Sequence, residues 1–117
     1  MTATPVMTNY NRGEVVLVRC QVSGRQDSVR PALVVSTDTY HQGQQKVMLA
    51  AITSNYPPAR PGDILIERWP EAGLLAPSLV TGVLLTVAAE RLVRRLGALS
   101  PEDMAEVDSS LRLSLSL

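Results

Sequence analysis

Aromatic residues are nearly missing from this chain. Phenylalanine is absent, and three tyrosines and one tryptophan make up 3% of 117 residues. That argues against RNA-binding modules that spread bases over Phe and Tyr platforms, and it requires an aliphatic core. Cysteine occurs once, as Cys20, so no internal disulfide forms and a reducing cytoplasm is the expected compartment. Histidine also occurs once, as His41, which leaves no Cys/His set with zinc spacing. No phosphate-cradling GxxxxGKS segment is present. The N-terminus lacks a charged region followed by an apolar run, so no signal peptide is expected. Residues Ala72 to Ala89 carry no charge, but Gly73, Pro77 and Gly82 break them into turn, strand and turn. No membrane span is expected.

What is present fits one small domain, 45% hydrophobic and 19% charged. Net charge is zero, with 11 basic and 11 acidic groups. The balance is uneven: residues 1–60 hold six basic and three acidic groups, and residues 61–117 hold five and eight. Residues 1–11 have no periodicity and read as a flexible tail before a single domain over 12–117. Apolar β-branched runs predict strands at Glu14–Val18, Ala32–Ser36 and Val47–Thr53. Cys20–Val29 reads as a hairpin loop and Thr37–Gln45 as a polar connection. Tyr56–Gly62, with three prolines, is a loop. Asp63–Glu67 alternates as an edge strand does. Trp69–Gly73 reads as a short turn, and Ser78–Leu85 and Leu92–Leu96 as further strands. Ser100-Pro101-Glu102-Asp103 is an N-cap, a proline at the first helical position and acids in the first turn. Met104, Val107, Leu111 and Leu115 then recur at helical spacing. The class is α+β: a small barrel-like antiparallel sheet with short helical turns and an amphipathic C-terminal helix.

Candidate chemistry is sparse. His41 sits in a polar segment and reads as a solvated loop side chain. Cys20 has no second histidine to activate it and reads as a strand-end apolar residue. What remains is arginine, ten of the eleven basic residues, whose planar fork of donors matches phosphate oxygens. Arg25 lies in the hairpin loop, where a solvated charge is an equally simple reading. Arg30 precedes Pro31 and an apolar strand, so its guanidinium is anchored to a rigid element. Thr53, Ser54 and Asn55 follow the third apolar run, which is also where turn-forming residues belong.

Arg12-Gly13-Glu14-Val15-Val16-Leu17-Val18, followed by Arg30-Pro31-Ala32-Leu33-Val34-Val35-Ser36-Thr37-Asp38, resembles the PemK/MazF family of toxin ribonucleases. Ala51-Ile52-Thr53-Ser54-Asn55 is similar to the family's third-strand end. Gly73-Leu74-Leu75-Ala76-Pro77-Ser78 and Arg94 to Asp103 are similar to its later segments. The resemblance implies an SH3-like β core with a C-terminal helix, working as a cytoplasmic homodimer without a cofactor or metal. It implies cleavage of single-stranded RNA by 2′-hydroxyl attack, leaving 2′,3′-cyclic phosphate and 5′-hydroxyl ends, and inhibition by a cognate antitoxin protein. Carried over by position, Arg30 and Thr53 are catalytic, and Arg25, Ser54 and Asn55 contact substrate. Val80–Leu85 departs from the pattern, because the family usually has charged groups there. That departure keeps open a catalytically weakened or inactive relative acting as a binding protein. A CcdB-like gyrase poison is less favoured, since the chain ends Leu113-Ser114-Leu115-Ser116-Leu117 without the Trp-Gly-Ile tail.

Overall fold

The computed structural model describes residues 10–20, 28–55 and 60–117. Its elements run β1 (Glu14–Cys20), β2 (Ser28–Val34), α1 (Asp38–Gln44), β3 (Lys46–Thr53), β4 (Ile64–Leu65), β5 (Leu79–Ala88), β6 (Leu92–Ala98) and α2 (Pro101–Leu115), with a 3-10 turn at Ala89–Arg91 between the last two strands. Six antiparallel strands form one sheet in the order β4-β5-β3-β2-β1-β6. The sheet is not closed: β4 and β6 are its two edges, so the barrel-like expectation holds only in its curvature.

The central strands are apolar on both faces, and successive side chains point to opposite sides. Val15, Leu33, Ala50 and Ile52 face one cluster, where Val107 of α2 and Ile66, Ala72 and Leu74 of the connection before β5 cover the sheet. Val16, Val18, Ala32, Val34, Val47 and Leu49 face the other, which is closed by Leu85, Val87, Ala89 and Leu92 as the chain turns from β5 into β6. The sheet therefore curls around its second face and carries α2 on its first.

Helix α2 starts as its sequence requires. The Asp103 amide donates to Ser100 Oγ at 3.1 Å, with Pro101 in the first turn. The Asp103 carboxylate, buried, does more than complement the helix dipole: it accepts from the backbone amides of Glu67 and Arg68 at 3.3 and 3.0 Å. That ties the helix to the Glu67–Gly73 turn. The same turn meets β6 backbone to backbone. Gly73 has φ +80°, and a Cβ there would lie 2.2 Å from the Leu96 carbonyl oxygen. A Cβ on Gly97 would lie 2.5 Å from the Ala72 carbonyl carbon.

Two expectations are corrected. Thr37–Gln45 is not a simple connection, because residues Asp38–Gln44 form the short helix α1. His41 is not a solvated loop residue: it is 2% exposed, with Nε2 2.5 Å from the buried Ser36 Oγ. A seven-residue helix with one buried side chain leaves no apolar period to read. Strand β2 begins at Ser28, earlier than its apolar run, because Ser28, Val29 and Arg30 pair with Cys20, Arg19 and Val18. Strand β4 is shorter than the alternating run predicts, and it is an edge strand as that run implies. Residues 1–9 of the expected tail, most of the β1–β2 hairpin loop and residues 56–59 of the proline-rich loop lie outside the described residues. Among the described residues, no helix is long and apolar enough to cross a membrane.

Replacing Asp103 with Ala removes the acceptor of two amides inside the fold. It is expected to lower the unfolding free energy by about 1–3 kcal/mol, measured by urea denaturation.

Candidate active site at one end of the sheet

Polar groups are excluded from the middle of a strand whose two faces are both buried, and they reappear where the covering elements stop. The β2–β3 ladder ends at the Ala32–Ala51 pair. Two residues further along each strand stand Arg30 and Thr53. Alternation places both on the face that carries Ala32, Val34, Val47 and Leu49. Arg30 is exposed and lies directly opposite Val18 of β1. Among the described residues its guanidinium has no carboxylate partner and no hydrogen bond. Arg12, Arg60, Arg68 and Arg95 pair instead with Asp108, Asp63, Glu71 and Glu14. An unpaired guanidinium on a rigid strand is the arrangement that can take a phosphate at little reorganisation cost.

Thr53 ends β3 and pairs with Leu79 of β5. Its hydroxyl closes a local turn, donating to the Asn55 carbonyl at 3.2 Å and accepting from the Asn55 amide at 3.3 Å. Both contacts are long, and turning the hydroxyl toward a phosphate oxygen breaks only the first. Ser54 and Asn55 are exposed on the same turn. Ser54 also lines a cavity of about 320 Å³ against Pro31, Leu74 and Arg94. Of the five expected site residues, four therefore stand at one end of β2 and β3. Arg25 lies outside the described residues.

Sequence reasoning did not assign Arg94 to a site. It sits on β6 opposite Leu17, and only the β1–β6 register brings it beside Pro31. The pair of arginines at 94 and 95 gave no hint which one is free, yet Arg95 is bonded to Glu14 and Arg94 has no ion pair among the described residues. His41 and Cys20 stay outside the site. His41 is committed to Ser36, whose Oγ also accepts from the Met48 amide at 2.9 Å. Cys20 is the half-buried last residue of β1. Among the described residues, no group of three or more His, Cys, Asp or Glu side chains is placed to hold a metal ion.

The uncharged Val80–Leu85 stretch divides into two parts. Val80 is core, while Val83 and Leu84 are 63% and 43% exposed. Leu84 lines a groove of about 480 Å³ with Met48, Leu111, Leu115 and Leu117, with Arg12 and Asp108 at its polar margin.

A model of the PemK-like, MazF-like toxins of type II toxin–antitoxin systems matches residues 11–115. The endoribonuclease MazF9 of Mycobacterium tuberculosis is 28% identical over 93 residues, spanning 75% of this chain and 79% of that protein. The fold is similar to that of an endoribonuclease from mycobacterial species, with a TM-score of 0.72 at 20% identity over 96% of each chain. It is similar also to a MazE–MazF structure from Deinococcus radiodurans, with a TM-score of 0.76 at 17% identity over 92% of this chain and 97% of that one.

Two polar groups, Ser36 outside the site and Arg30 within it, separate by stability. Ser36→Ala leaves the Met48 amide and the His41 ring without their shared partner and is expected to cost about 1–3 kcal/mol. Arg30→Ala breaks no side-chain hydrogen bond or ion pair within the described residues and is expected to stay within about 0.5 kcal/mol of the parent. Thermal and urea unfolding of both variants check this.

Proposed function

Because the chain belongs to the PemK-like, MazF-like toxin family of type II toxin–antitoxin systems, we propose that it is a toxin endoribonuclease that cleaves single-stranded RNA without a metal. The observation that carries this reading is the placement of Arg30, without an ion pair among the described residues, and Thr53 on one face just beyond the last β2–β3 pair. The relatives support it by name, as endoribonucleases.

The nucleophile comes from the substrate. The ribose 2′-oxygen attacks the adjacent phosphorus and an O2′–P bond forms. The O5′–P bond breaks, leaving a 2′,3′-cyclic phosphate and a 5′-hydroxyl. The 2′ proton passes to water, and the departing 5′ oxygen takes one up. The protein holds the ribose-phosphate in line and stabilises the charge that grows on the non-bridging oxygens. Arg30 does the second by a two-pronged contact and stays charged throughout. The Thr53 hydroxyl donates to a phosphate oxygen. Ser54 and Asn55 position the chain beside it, and Arg25, a substrate contact by the resemblance, clamps the backbone.

The partners of this reading are a cognate antitoxin and a second copy of the chain. A MazE–MazF complex among the related structures supports the first, and an acidic antitoxin segment complements the free arginines. For the homodimer, the apolar groove formed by Met48, Leu84, Leu111 and Leu115 offers a surface that a monomer would leave wet. With its charged groups, Arg12, Asp108 and Arg112, among otherwise largely apolar side chains, the groove accounts for the uncharged Leu84 and Leu85 as part of a seam.

Purified protein is expected to cleave single-stranded RNA in the presence of EDTA, with cyclic phosphate on the new 3′ ends. Arg30→Ala should lose at least about a hundredfold in kcat. Thr53→Ala should lower kcat with little change in RNA affinity. End-mapping and single-turnover kinetics read both, and an inert parent protein on a varied RNA pool overturns the enzymatic reading. Met48→Glu and Leu84→Glu should each shift the protein from dimer to monomer in sedimentation velocity.

A further inference from the structure

A cavity of about 320 Å³ stands beside the site, lined by core leucines on one side and by a polar edge on the other. Its walls are the apolar side chains of Leu17, Pro31, Leu74 and Leu96, and its polar groups are Arg94 and the hydroxyls of Ser54 and Ser78. Ser78 is already spent, donating to the Ala76 carbonyl at 2.9 Å. Arg94 is exposed and has no ion pair among the described residues. A guanidinium beside aliphatic walls is a surface on which an unstacked base can lie, since a guanidinium plane stacks on a π-face as an aromatic ring does. The chain has few aromatic rings to do this job.

Position favours RNA as the occupant. Each catalytic candidate is followed in the chain by a residue of the cavity wall: Arg30 by Pro31, and Thr53 by Ser54. Alternation turns Arg30 and Pro31 to opposite faces of the sheet. A strand of RNA whose phosphate lies against Arg30 thus reaches the cavity by passing around the sheet end, with Ser54 at the corner. The surrounding charge has the sign a polyanion requires. Arg19, like Arg94 exposed and without an ion pair among the described residues, stands two residues beyond Leu17 on the same face of β1, opposite Val29. The close backbone contact of Gly73 with Leu96 fixes the outer wall, so the cavity is preformed.

Resting on the ribonuclease reading, we propose that this cavity receives one unstacked base flanking the cleaved phosphate, stacked on the Arg94 guanidinium, and so sets part of the sequence preference. The base enters edge-on between Arg94 and Leu74, with the Ser54 hydroxyl at its polar edge.

The test pairs two variants with two readouts. Arg94→Gln keeps a polar side chain and removes the cation. Ala76→Trp fills the cavity from an exposed loop. The first readout is equilibrium binding of fluorescein-labelled, single-stranded RNA carrying a 2′-deoxy sugar at the cut, with an abasic residue scanned through each position. In the parent protein one abasic position is expected to weaken binding about tenfold, the size of one lost stack. In Ala76→Trp that position should lose its effect, and in Arg94→Gln most of it. The second readout is cleavage-site mapping on a random RNA pool, where both variants should lose base preference at that one position and keep cutting.

Intact RNA binding with the same abasic profile in all three proteins overturns the proposal and leaves the ribonuclease reading standing. Base-dependent binding that Ala76→Trp abolishes, with no cleavage by the parent protein, upholds the cavity and overturns the nuclease reading. No RNA binding by the parent overturns both. If Ala76→Trp blocks the cognate antitoxin and leaves the RNA profile unchanged, the cavity is a peptide pocket and the proposal falls.

Discussion

The rest of the structure follows from one constraint: three central strands are apolar on both faces and need two separate covers. One face takes α2 and the Glu67–Gly73 turn, anchored together by the Asp103 carboxylate. The other is covered by the sheet's own curl through β5, the turn at Ala89–Arg91 and β6. Neither cover encloses the end of the sheet where β1 meets β2, and Arg19 and Arg30 are exposed there. The site's location is thus a consequence of where burial stops, and its rigidity comes from the buried strands it extends.

Two glycines give that arrangement its sharp edge. The turn before β5 approaches β6 so closely that neither Gly73 nor Gly97 has room for a Cβ. Backbone contact at that distance fixes the Gly73–Ser78 segment relative to Arg94 and Leu96. Without it the outer wall of the cavity would be a loose loop, and Leu75, 99% exposed, would have nothing ordered beneath it.

Much of this was legible in the residues, for physical reasons. Apolar β-branched runs read as strands because they are strands, and Ser100-Pro101 read as a helix start because the Asp103 amide needs an acceptor. Arg30 and Thr53 stood out as polar residues at the ends of apolar runs. Three things were hidden. Helix α1 buries a single side chain, so no period announced it. His41 looks solvated among Tyr40, Gln42 and Gly43 until the fold brings Ser36 to it. The role of Arg94 depends on pairing with a strand nearly eighty positions earlier in the chain, and on Glu14 taking its neighbour Arg95 instead. Register of that kind is a property of the assembled sheet.

A net charge of zero gives no long-range pull toward a polyanion. The acids, however, are distributed so that Arg12, Arg60, Arg68 and Arg95 are paired. Among the described residues, six cations have no such partner: Lys46 at the start of β3, Arg91 in the 3-10 turn, Arg112 on α2, and Arg19, Arg30 and Arg94, which stand at the same end of β1, β2 and β6. Local, unneutralised cations in small number bind phosphate without binding every nucleic acid tightly, since non-specific affinity grows with the number of phosphates neutralised. A site built this way gains little from sheer charge. It must obtain its selectivity from contacts to bases, because phosphate contacts position a strand and only base contacts read it.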